Sequence, residues 1–258
     1  MLLNPEKSSY TIFSRSKEEF VTRLTVSGSK IDQKAAVKIL GCWIDEDAGK
    51  WETNTKALCK AAYSRMSMLT KLRYTGVCTE DLLLIYKLFI RSRAEYMAVL
   101  WHSSLNLHQE MKVENIQITS LKIILQESFV SYPAALEMTG LSELSLRRKN
   151  RCLTFAKRCR KNSISSEMFP LNPEHQHDVR NSEKYIVNFA HTESYKNSAV
   201  PYCQRLLNQD YQEQEEKQKA RVEAEKKRAK QEEKEKSRTK KEGERERREE
   251  ERRRGGGQ

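Results

Sequence analysis

The stretch from Val37 to Leu105 constrains the fold of this chain most, because its apolar pattern switches from extended to helical and then restarts after a glycine. Val37, Ile39, Gly41 and Trp43 fall on one face of an extended segment and Leu40, Cys42 and Ile44 on the other. Both faces are therefore apolar, and Val37 to Ile44 reads as one buried strand. A glycine inside such a strand marks either a bulge or the close approach of another backbone. After Thr53 the spacing becomes helical. Leu58, Ala62, Met66 and Leu69 follow one face, with Ala61, Met68 and Leu72 beside them. Gly76 predicts the end of that helix, and Thr79 reads as the cap of the next, with Glu80 and Asp81 where the helix dipole favours negative charge.

The second helix is amphipathic through Leu82, Ile85, Tyr86, Phe89, Ile90, Ala94 and Met97. A third, about Gln109 to Gln126, carries Val113, Ile116, Ile118, Leu121, Ile124 and Leu125. Three helices joined by short loops predict a small antiparallel bundle. Upstream, Tyr10 to Ser14 reads as a strand. Arg23 to Val26 and Ile31 to Gln33 read as a hairpin across Ser27-Gly28-Ser29-Lys30. The expected class is α+β, mainly α. A small N-terminal antiparallel meander (1–51) precedes a three-helix bundle (52–128), further helices (129–208) and a charged tail (209–258).

The formal net charge is +12 over 258 residues, and most of the basic excess falls before the tail. Its densest part is Arg147, Arg148, Lys149, Arg151, Lys157, Arg158, Arg160 and Lys161, a run with no acid between residues 147 and 161. Leu144, Arg148, Cys152, Phe155 and Cys159 share one face of a helix there, so the stripe docks while the flanks meet solvent or phosphate. A phosphate contact of that kind is non-specific and salt-sensitive.

The six cysteines, Cys42, Cys59, Cys78, Cys152, Cys159 and Cys203, are scattered on apolar faces, which suits core thiols in a reducing compartment, the nucleus or cytoplasm. Cys152 and Cys159 with His175 and His177 are the one arrangement to weigh as a metal site. Thiols seven apart on a helix chelate poorly, so no metal or other cofactor is expected. No apolar run suits a membrane span. His175 to Arg180 is a polar loop and Tyr185 to Ala190 a short apolar patch. The tail from Gln212 to Arg254 lacks a coiled-coil seam. It does have i,i+4 pairs in the favourable order, among them Glu213-Lys217, Glu223-Lys227 and Glu250-Arg254, so a solitary charged helix is expected, ended by Gly255-Gly256-Gly257. Lys227-Arg228-Ala229-Lys230 matches a nuclear import signal only at the level that charge runs produce by chance.

Several short phrases recur in order along the chain: Asn4-Pro5-Glu6-Lys7, Val37 to Asp45, Glu95-Tyr96, Trp101-His102-Ser103-Ser104, Asn115-Ile116-Gln117 and Leu121 to Leu125. Tyr132 to Leu136, Arg147-Arg148, Cys152 to Lys157, Phe169 to Asn172 and Ser198 to Tyr202 continue the series. Their order and spacing, from about Asn4 to Asn208, resemble the region after the catalytic palm in reverse transcriptases of non-LTR (LINE-type) retrotransposons. The resemblance implies a palm end at Asn4 to Phe13, with Lys7 at the position of a lysine near the incoming nucleotide. It implies a primer grip at Leu40, Gly41, Cys42 and Trp43, and a thumb formed by the helices that follow.

Polymerases of this kind hold two metal ions between paired palm carboxylates. Here the aspartates are Asp32, Asp45, Asp47, Asp81, Asp178 and Asp210, and no two flank a buried hairpin. Asp45-Glu46-Asp47 reads as an exposed turn with too few ligands for a dedicated site. The expectation is a truncated, catalytically incomplete reverse-transcriptase-like chain with no catalytic residue of its own, able to bind an RNA or DNA duplex. The alternative is a host interaction module with a charged helical spacer. Strand edges left without palm partners would favour self-association or a separate palm-bearing chain.

Overall fold

A computed structural model describes residues 4–13, 23–47, 49–173 and 183–255, with side chains described up to 234 apart from 229 and 233. The chain is mainly helical and divides into two compact units, Met1–Leu207 and Asn208–Gln258.

The N-terminal strands are short. β1 (Ser9–Tyr10), β2 (Thr25–Val26), β3 (Ser29–Lys30), β4 (Asp32–Gln33), β5 (Ala36–Ile39) and β6 (Cys42–Asp45) make three separate two-stranded sheets rather than one meander. β2 and β3 form a tight hairpin turning at Ser27-Gly28, so Ser29 and Lys30 are strand rather than turn. β4 pairs with β1 in parallel, Ser9 opposite Asp32 and Tyr10 opposite Gln33, instead of closing the hairpin. The expected strand end at Ser14 lies outside the described residues.

The expected single strand from Val37 to Ile44 is a hairpin. β5 and β6 pair antiparallel with Ile39 opposite Cys42, and Leu40-Gly41 is the two-residue turn. Both turn residues have positive φ, 48° and 88°, as a primed hairpin turn requires. Gly41 adopts this without strain and Leu40 does not. Ile39 and Leu40 consequently face outward, 52% and 78% exposed. The apolar alternation concealed the turn because both residues flanking Gly41 are small enough in number of polar atoms to pass as core, and a leucine is an unusual occupant of the left-handed region.

The helical bundle follows the periodicity. α1 (Glu52–Tyr74) buries Ala62, Met66 and Leu69, while Met68 is exposed. Gly76, at φ 83°, ends the turn after it. α2 (Thr79–Ile85) is capped at Cys78 rather than Thr79, without a side-chain cap bond. It runs into a π-helical turn, Tyr86–Arg91, and then α3 (Ser92–Ala94). Leu82, Tyr86, Ile90 and Ala94 point inward. The wide turn carries Phe89 out to 51% exposure, where the simple period had placed it inside.

After α4 (Ala98–Trp101), α5 (Leu107–Leu125) starts earlier than its apolar pattern because Asn106 and Gln109 form a reciprocal capping box. Its core face contributes Val113, Ile116, Leu121 and Ile124 to the cluster shared with α1 and α2. α6 (Tyr132–Thr139) and the first turn of α7 (Leu144–Lys161) close that cluster through Ala135 and Leu144. The rest of α7 turns to a second core, where Cys152, Ala156 and Cys159 meet Phe169, Tyr185, Cys203, Leu206 and Leu207. Phe155, expected inside, is 38% exposed and Ala156 takes its place.

Leu171 and Tyr185 form an isolated antiparallel bridge. α8 (Glu193–Lys196) follows, capped by the Thr192 hydroxyl. α9 (Ala199–Gly255) then runs to the end of the described chain. In the second unit, Glu223 and Lys227 pair at 2.8 Å in the i,i+4 spacing. Among the described residues no helix is long and apolar enough to cross a membrane.

Candidate functional site

The phrase Glu95-Tyr96 proves to be a junction. Glu95 ends α3 at 2% exposure, where an isolated carboxylate would be costly. It accepts from Arg147 Nε at 2.6 Å and Nη2 at 3.3 Å, and pairs with Arg151 Nη2 at 2.9 Å. These are charge-assisted bonds from one helical turn of α7, and they fix that helix against the end of α3. Arg91 belongs to the same group. Burial, and then the neighbouring Arg147 charge, lowers its guanidinium below the ordinary value. Arg147 and Arg151 thus share a single carboxylate with Arg91 close enough to feel both charges, leaving the spot net positive.

The next residue faces the hairpin. Tyr96 donates from its hydroxyl to the Leu40 carbonyl at 2.6 Å, and its ring lies 3.4 Å from where a Cβ on Gly41 would be. Arg93 sits over the Tyr96 ring at 5.9 Å. Glycine at 41 is favoured by its positive φ, while a Cβ there would only just touch the packed tyrosine. β6 is held from the other side by α1: Asn54 Oδ1 accepts from Trp43 N at 3.2 Å and from the Cys42 thiol at 3.4 Å. Asp45 Oδ2 accepts from Thr53 N at 3.1 Å, at the start of α1. Trp101, 1% exposed, donates from its indole to Tyr96 O at 3.0 Å.

Beneath this junction runs a buried polar network that periodicity alone could not reveal. Gln117, on the core face of α5, accepts from Tyr86 Oη at 2.6 Å and donates to Tyr132 Oη and to Ser142 O. Tyr132 donates to Glu114. Glu114 also accepts from Leu144 N and Ser145 N, so it serves as the cap that the first turn of α7 lacks in its own sequence. Burial, with the Glu114 carboxylate next in weight, raises the Tyr132 phenol.

Arg148 lies at the end of this network and is fully buried. It stacks on Trp101 at 5.8 Å, donates weakly to His102 Nδ1 at 3.4 Å, and reaches Glu110 and Glu114 only at 4.0 Å. Both terminal nitrogens lack a hydrogen-bond partner. Burial, then the Arg148 and Lys149 charges, pushes the His102 imidazole down to about 4. His102 also meets Tyr202 edge-on, Nε2 to Oη 3.5 Å.

Of the expected nucleic-acid contacts, Arg148 is a fully buried residue of the core, in keeping with its place on the apolar stripe, and is not part of the exposed surface. Arg147 is half-buried on Glu95. Lys149, Arg151, Lys157, Arg158, Arg160 and Lys161 are exposed. Arg160 also bonds and stacks on Tyr185. Lys7 is exposed in a single 3-10 turn, Pro5–Lys7, just before β1. Cys42 is buried and Trp43 half-buried under Lys38, so of the four hairpin residues the turn pair Leu40 and Gly41 is presented.

The aspartates do not converge. Asp32 lies in β4, Asp45 serves α1, Asp47 pairs with Lys50 at 2.5 Å, and Asp81 begins α2. Asp178, His175 and His177 lie outside the described residues. Among the described residues no group of three or more metal-ligating side chains is assembled. The described residues of the first unit border clefts. One of about 570 Å³ is bordered by Trp51, Leu100 and Tyr195, and one of about 730 Å³ by His102, Glu110, Ser142 and Lys149. Comparison with protein-family models, with curated proteins and with solved structures returned no match.

Proposed function

We propose that the chain grips the sugar–phosphate backbone of an RNA or DNA duplex, in the manner of the post-palm region of the non-LTR reverse transcriptases it resembles, and supplies no polymerase chemistry of its own. One observation carries this reading. The consecutive residues Glu95 and Tyr96 tie the Arg147–Arg151 pair of α7 and the exposed tip of the β5–β6 hairpin to the same short segment. Arginine forks suit phosphate, and a protruding apolar tip suits a sugar edge or base step. Beyond Arg151, the exposed side of α7 continues the positive surface through Arg158 and Lys161. Affinity from such contacts is set by phosphate neutralisation and carries little sequence preference.

Charge reversal tests it. Arg158→Glu with Lys161→Glu alters exposed positions that make no bond to the Glu95 junction. It is expected to weaken binding of a hybrid duplex at least about tenfold, measured by fluorescence anisotropy at low salt. Unchanged affinity would remove α7 from the interface. The second reading, an interaction module in which nucleic acid plays no part, draws on the continuous charged helix of α9 and its Glu223–Lys227 pair. It predicts no retention of duplex at any salt.

A further inference from the structure

We propose that Cys152 of α7 and Cys203 of α9 are a redox pair, forming a reversible disulfide that fastens the basic helix to the segment Ala199–Leu207. Both thiols are fully buried in the second core. The Cys203 thiol donates to the Cys152 carbonyl oxygen at 3.6 Å, which brings the two side chains together in this core. Closure therefore needs side-chain rotation and a small approach of the helices rather than a change of fold. The remaining thiols are placed differently. Cys42 is held by Asn54, Cys59 reaches the Lys112 carbonyl, and Cys78 is exposed ahead of α2. Cys159 shares the second core but sits seven residues along the same helix as Cys152, too far for a bridge between them.

The chemistry is favoured by the neighbour one turn earlier. Arg148 is a buried cation whose terminal nitrogens have no hydrogen-bond partner, and it stands four residues before Cys152. The neighbouring Cys203 thiol, and then the Arg148 charge, lowers the Cys152 thiol, while Cys203 is raised. Cys152 is thus the attacking sulfur. A hydroperoxide is the oxidant. The Cys152 thiolate attacks one peroxide oxygen, an S–O bond forms as the O–O bond breaks, and hydroxide leaves. Cys203 then attacks the sulfenic sulfur, the S–S bond forms, and a second hydroxide leaves. Both hydroxides take up the thiol protons, so two thiols lose two electrons and hydrogen peroxide becomes two waters. A dithiol reductant reverses the bond by exchange.

The full-length protein is treated with graded hydrogen peroxide, its remaining thiols are alkylated, and non-reduced peptides are mapped by mass spectrometry. Peptides joined through Cys152 and Cys203 are expected to accumulate while Cys42 and Cys59 stay alkylatable. The thermal midpoint is expected to rise by several degrees and to fall back with dithiothreitol. In Cys203→Ser the linked peptide is absent and dimedone traps Cys152 as its sulfenic acid. Linkage through Cys159, or Cys152 and Cys203 both remaining alkylatable once Cys78 is fully oxidised, overturns the proposal. The mapping on the unaltered chain decides the matter even if the variant does not fold.

Discussion

Replacing Glu95 by glutamine tests the junction on which the architecture turns. The variant keeps the volume and one carbonyl acceptor but removes the charge and the second acceptor that Arg147 and Arg151 share. A charged hydrogen bond is worth about 1.5–3 kcal/mol, and breaking a fully buried ion pair costs about 3–5 kcal/mol. Only the carboxylate is fully buried here. The arginine side chains are 30% and 53% exposed, so Arg151 recovers most of its loss in solvent and Arg147 part of it. The expected destabilisation is about 2–3 kcal/mol, or a thermal midpoint lower by about 4–12 °C for a chain of this length. Urea unfolding followed by tryptophan fluorescence reads it directly, because Trp43, Trp51 and Trp101 all lie in the first unit. The midpoint should fall with an unchanged slope. A double-mutant cycle with Arg147→Gln should give a coupling of about 1 kcal/mol or more. A loss below about 0.5 kcal/mol, or additive single effects, would refute the claim that this carboxylate fastens α7 to α3.

The hairpin tip and the buried histidine give two further predictions. Leu40→Asn relieves a left-handed φ at an exposed position, and should raise stability by about 0.5–1 kcal/mol in chemical denaturation while weakening duplex binding; a gain in both would argue against the tip as a contact. His102 binds its proton less readily folded, at about 4, than its ordinary 6.5. The unfolded chain therefore takes up the extra proton first, and stability present above pH 6.5 is lost as pH falls from there towards 4. Unfolding free energies measured across this window should show that decline, and His102→Gln should remove most of it.

How much of this was legible in the sequence depends on how local each cause is. The core faces of α1 and α5 followed from their apolar period because the surrounding helices merely cover it. Leu40-Gly41 was missed because a leucine in the left-handed region leaves no local signature, and apolar residues on either side hid the turn. Phe89 was misplaced by a π turn whose extra residue shifts the register, stabilised partly by Arg65 donating to the Phe89 carbonyl from 24 residues away. Arg148 carried its own warning, since a cation on the stripe of Leu144, Cys152 and Cys159 has to be buried or break the stripe. Glu95 carried none. Its partners lie 52 residues on at the first contact, and only the folded chain brings them together. The same holds for Glu114, which caps a helix that begins 30 residues later.

The most direct measurement is the salt dependence of duplex binding by the intact chain. Each phosphate neutralised contributes about −0.9 to the slope of log Kobs against log salt. Contacts from Arg147, Arg151, Arg158 and Lys161 together predict a slope of about −3 to −4, reduced by about 2 in the Arg158→Glu/Lys161→Glu variant. A slope near zero, or the same slope in both proteins, would contradict the account.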